Sequence, residues 1–72
     1  MTEKEFLKKM QDEVLDTENE VTMDTELATV EEWDSLSFVG FLAMARVATG
    51  RKLERATVQK AKALRDLYAL LA

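Results

Sequence analysis

The chain reads as four stretches of differing periodicity. Thr2-Glu3-Lys4-Glu5 has the spacing of a capping box, in which the Thr2 hydroxyl accepts from the N–H of Glu5 and the Glu5 side chain reaches back. Phe6, Leu7, Met10 and Val14 then recur on one helical face and leave Lys4, Lys8, Lys9 and Asp12 for water. The spacing predicts a first helix ending near Leu15 or Asp16. From Asp16 to Asp34 the pattern lapses into a polar, acidic loop with Val21, Met23, Leu27, Val30 and Trp33 as isolated apolar anchors. Connections of this length are uncommon in compact domains and usually have a functional reason.

Asp34 and Ser35 are both good N-cap types, and Leu36 to Val47 contains no breaker except Gly40, so a second helix is expected from Ser35. Leu36, Val39, Ala43 and Val47 form one face, while Phe38, Phe41, Leu42 and Met44 spread apolar surface round the rest. Such a helix is either central in the fold or partly covered by a partner. Gly50 stands where a left-handed residue would stop it, with Arg46, Arg51 and Lys52 near the carboxyl end that favours cations. Val58, Ala61, Leu64, Leu67, Tyr68 and Leu71 give a last helical stripe with no forced break, so one helix and a short one followed by a longer one both remain open. An all-α bundle forming a single domain over residues 1–72 is the expected architecture.

Composition narrows this picture. At 72 residues there is room for one core, and with no Cys and no His there is no disulfide or zinc staple, which leaves stability to helix packing. The absence of Cys fits a reducing compartment, and no basic segment followed by an apolar run marks a signal peptide. The longest apolar stretch, Phe38 to Ala45, is too short for a bilayer. A cytoplasmic monomer is expected.

The net charge of -4 hides an asymmetry, since residues 1 to 34 hold 12 acids and 3 bases whereas residues 35 to 72 hold 2 acids and 7 bases. An acidic first half argues against nucleic acid as a partner.

Catalysis is not expected, because a Ser or Thr nucleophile needs an adjacent base, there is no His, and nothing places a Lys beside Ser35 or Ser37. The acidic loop from Asp16 fails as a calcium loop, with Val21 where the turn needs Gly and Leu27 where a bidentate Glu belongs. Glu31 and Glu32 are sequence neighbours whose carboxylates point apart, and they read as surface charge. Ser35 differs, because at a helix start free N–H groups and the helix dipole favour an anionic group on its hydroxyl. Taken alone, Asp34-Ser35-Leu36 reads as an ordinary helix cap.

In this setting, however, Glu32-Trp33-Asp34-Ser35-Leu36 resembles the phosphopantetheine attachment motif of acyl and peptidyl carrier proteins. The resemblance spans the chain: the amphipathic first helix, the long loop with Leu27, Gly50 followed by Leu53, and the closing Leu64-Arg65-Asp66-Leu67 with Leu70 and Leu71. It implies an acyl-carrier-like four-helix bundle, with three main helices and a short third one. By the same resemblance, Ser35 is the attachment residue, Asp34 the aspartate that helps position metal during transfer, and Leu36 a buried anchor. A phosphopantetheinyl transferase would use coenzyme A and magnesium to place 4'-phosphopantetheine on Ser35. The arm would then carry acyl or aminoacyl thioesters between a loading ligase and acyltransferase or synthase partners.

Two departures refine these expectations. Carriers of fatty acid synthesis usually place acids along the second helix, where this chain has Ser37, Gly40 and Arg46. That points to a specialised lipid, polyketide, peptide or surface-glycan pathway, with the exposed part of Phe38, Phe41 and Met44 offering apolar contact to partners in place of charge, although at any one of these positions, and at Leu42, core packing is the plainer reading. Ala63 stands where many relatives have a Thr or Ser cap, so the last two segments are expected to be continuous or loosely joined. The runner-up reading is an unmodified helical interaction module with a carrier-like fold.

Overall fold

The capping box drawn from Thr2 forms as expected, with Glu5 N–H donating to Thr2 Oγ1 at 3.2 Å and Thr2 N–H to Glu5 Oε1 at 3.0 Å. It opens α1, Glu3–Lys9, in a computed structural model that describes residues 1–71. α1 then widens into a π turn over Met10–Val14, where the Leu15 N–H reaches the Met10 carbonyl at 2.7 Å. Val14 and its neighbour Leu15 are both buried at this turn. Asp16, at φ 49°, ends the helix, and Thr17 N–H closes on the Gln11 carbonyl at 3.0 Å.

The loop that follows is pinned by Val21 and Leu27, both buried, with Met23, Val30 and Trp33 packed more loosely against the same core. Its one regular piece is a 3-10 turn, Leu27–Thr29. α2, Ser35–Thr49, is the longest element and packs on the π turn and on the last helix. It ends at Gly50, whose φ of 71° is natural for glycine and whose N–H returns to the Arg46 carbonyl at 2.8 Å.

The final stripe is two helices: α3, Arg55–Gln59, and α4, Leu64–Leu71. Ala63 therefore neither merges them nor leaves them loosely joined, and the reason lies elsewhere in the chain. The Leu64 and Arg65 N–H groups, orphans of the first turn of α4, donate to the Thr25 and Met23 carbonyls at 3.1 and 2.9 Å. Leu27 N–H donates in return to the Lys62 carbonyl at 2.8 Å. Asp66 Oδ2 accepts the Lys62 and Ala63 N–H groups, each at 3.0 Å, and Arg65 pairs with Asp24 across the same junction.

These elements enclose one core, centred on Phe6, Met10, Phe41, Val58, Leu64 and Leu67. Phe6 meets Tyr68 with ring centroids 5.2 Å apart, and Tyr68 Oη donates to the Met1 carbonyl at 2.9 Å, which ties α1 to α4. The chain is all-α, with no strand among the described residues beyond the isolated Glu26 to Ala63 bridge. Among those residues, no helix is long and apolar enough to cross a membrane.

Leu36 contradicts the expectation of a buried anchor, being 80% exposed. Phe38, Phe41 and Ala45 turn inward, and at about 100° per residue Leu36 falls on the opposite side of α2. For the same reason Phe38 and Phe41 are core residues and not partner contacts, while Met44 is half-buried at the edge of the α1–α2 groove.

Candidate functional site

The start of α2 is organised by two side chains. Asp34 is the N-cap, and its Oδ1 accepts the N–H groups of Leu36 and Ser37, each at 3.0 Å. Ser37 answers from one turn inside, its Oγ accepting the Asp34 N–H at 2.8 Å. Its single hydroxyl proton is best placed on the Glu32 carbonyl, at 2.7 Å the nearest acceptor. Ser37 is thus a buried polar side chain with both capacities used. The Phe38 N–H goes to the Asp34 carbonyl at 2.9 Å.

This reciprocal cap fixes Ser35, which stands at the first position of α2 and is exposed. The expectation of free N–H groups there needs correction, because Asp34 already takes those of Leu36, Ser37 and Phe38. What remains for an anion on Ser35 is chiefly the field of a 15-residue helix. The bond from the Ser37 N–H, foremost, with help from the Ser37 hydroxyl and the Leu36 N–H, holds the Asp34 carboxyl below its ordinary range against the opposing effect of desolvation. Asp34, one residue before Ser35, is therefore an exposed carboxylate at neutral pH.

Above the cap, Trp33 leans on the core, its ring centroid 5.9 Å from that of Phe38 and 6.3 Å from that of Phe41. An open groove of about 500 Å³ runs along the α2 start, lined by Asp34, Leu36, Ser37 and Gly40 on one side and by Glu13 and Val14 on the other. A Cβ added at Gly40 would meet nothing within 4 Å, so this glycine leaves open space and is not required for close helix packing. No group of three or more side chains suited to hold a metal ion occurs among the described residues.

The structure thus brings Asp34, Ser35 and Leu36 to one exposed helix start and keeps Phe38 and Phe41 apart from it, inside the core. Sequence reading missed Ser37, which it took only as a missing acid. The signal was present as Asp34 and Ser37 at capping-box spacing, with Ser in place of the usual Glu or Gln.

Compared with known proteins, the chain matches no family model, no curated protein and no solved structure.

Proposed function

We propose that the protein is a carrier whose Ser35 receives 4'-phosphopantetheine from coenzyme A, on a domain of acyl-carrier type. The observation that carries this reading is the exposed Ser35 hydroxyl, held at the first turn of the longest helix by the Asp34 and Ser37 cap. The residues present fit the group. Ser35 faces solvent, and the groove beside Asp34 and Leu36 is open.

This chain's residues supply presentation and no chemistry of their own. Ser35 offers its oxygen, Asp34 holds a carboxylate next to it for the transferase's magnesium, and Ser37 keeps that carboxylate in place. When bound, the arm would supply a terminal thiol to hold an acyl or aminoacyl group as a thioester. Its partners would be a phosphopantetheinyl transferase, a loading ligase, and acyltransferase or synthase enzymes of a specialised pathway, working with a monomer in the cytoplasm.

The deciding measurement is intact mass after incubation with coenzyme A, magnesium and a broad-specificity phosphopantetheinyl transferase, beside a Ser35→Ala control. Gain of one phosphopantetheine by the wild type alone is expected. No gain with several transferases, on a folded sample, would overturn the carrier reading in favour of an unmodified interaction module.

A further inference from the structure

α2 has an apolar face on each side, whereas a helix packed at the edge of a bundle requires only one. The inner face is Phe38, Phe41 and Ala45, all buried. The outer face is Leu36, Val39 and Val47, at 80, 49 and 88% exposure, with exposed Ala43 between them. At about 100° per residue these four lie within a sector of about 80°, forming one stripe along the helix.

The banks of the stripe differ in charge. Towards α3 lies an open groove of about 870 Å³, floored by Leu42 and Leu53 and edged by Arg46, Lys52 and Arg55, with Glu54 the one acid lining it. The Arg55 guanidinium sits 5.4 Å over the Phe38 ring, so one of these cations is already held in place. No Asp or Glu occurs between Ser35 and Leu53. Towards α1 the bordering groove carries Glu5 and Glu13, with Lys9 paired to Glu13 at 3.2 Å.

We infer that the outer face of α2 docks a protein surface whose apolar patch carries carboxylates along one edge, these meeting Arg46, Lys52 and Arg55. Charge complementarity selects this occupant. An apolar stripe alone would accept any greasy surface, but the cationic bank fixes both the sign and the side of the partner's charge. An anionic bilayer suits the surface poorly, since lying on the stripe would bring its headgroups against Glu5 and Glu13 as well. The inference stands whether or not Ser35 is modified.

The test is an amide-shift NMR titration of the unmodified full chain with two synthetic amphipathic helical peptides. The peptides share one leucine face and differ only in whether Glu or Lys lines one edge. The Glu-edged peptide should shift Leu36, Val39, Ala43 and Val47 together with Arg46 and Lys52, and should bind about tenfold or more tightly than its Lys-edged twin, with the gap shrinking as salt is raised. Arg46→Glu combined with Lys52→Glu, both exposed positions, should reverse the preference, at a modest cost in thermal midpoint because both cations lie near the α2 carboxyl end. Val47→Ser should weaken both peptides severalfold.

Equal binding of the two peptides, or no saturable shift along the stripe, would overturn the inference. So would larger stripe shifts with phosphatidylglycerol vesicles than with peptide, which would assign the face to lipid. Stripe shifts produced by raising protein concentration alone would assign it to a second copy of this chain.

Discussion

The starts of α2 and α4 solve the same problem with different means. Each must satisfy the orphan N–H groups of a first turn. At α2 the donors are met by residues three positions apart, Asp34 and Ser37, so the start is written locally. At α4 the Leu64 and Arg65 donors are met by the Thr25 and Met23 carbonyls, some forty positions earlier, with Asp66 closing the turn from inside. The first start belongs to its own segment, whereas the second exists only when the loop is in place.

The strongest way to break this comparison is Leu64→Ala. Leu64 is fully buried and opens α4, so its truncation should cost about 2 to 5 kcal/mol, a large part of the stability of so small a domain. Urea unfolding followed by circular dichroism measures it, and a loss below about 1 kcal/mol would mean that α4 is not fixed by this packing. Ser37→Ala is the local counterpart. It strands the Asp34 N–H and the Glu32 carbonyl and should cost about 1 to 2 kcal/mol. Hydrogen exchange should quicken at Leu36 to Phe38 and hardly at Leu64 and Arg65, whereas equal quickening at both sites would erase the distinction between the two starts.

Smaller effects sharpen it. Gly40→Ala should stabilise by about 0.5 to 1 kcal/mol, because the added methyl meets nothing and the helix gains a better former. Gly50→Ala should shift the urea midpoint the other way, since φ is 71° there.

The two starts also share a pH signature. Asp34 is held below its ordinary range chiefly by the Ser37 N–H, and Asp66 chiefly by the Lys62 and then the Ala63 N–H. A carboxyl whose folded pKa is depressed stabilises fully above its unfolded value, about 3.9 for Asp, and loses that contribution as pH falls through the folded value. The gap in thermal midpoint between wild type and Asp34→Asn should therefore be present at pH 7 and close on acidification below about pH 4, with Asp66→Asn behaving alike. A gap that persists in acid would mean that the cap does not act through its charge.

What could be read in advance follows the same division. The α1 start, the α2 start and the Gly50 stop were legible because each depends on side chains within a few positions of one another. The break before α4 was not, because backbone carbonyls of a remote loop carry no residue signature. The π turn escaped notice too, since Val14 and Leu15 side by side look like an ordinary helix end. At the site, Ser35 and Asp34 were legible as types at a spacing. The exposure of Leu36 was not, and Phe38 and Phe41 read as core side chains that could also meet a partner, because α2 is apolar on both sides and only the assembled core decides which side is covered.

The carbonyl hooks of Met23 and Thr25 also have a consequence in time. During synthesis they wait for Leu64 and Arg65, which leave the ribosome some forty residues later. Until then the loop has nothing to close on, and α1 and α2 can only hold a half-built core. Completion of the domain should thus come late and in one step, with the locally capped helices forming early and the loop locking only when α4 arrives.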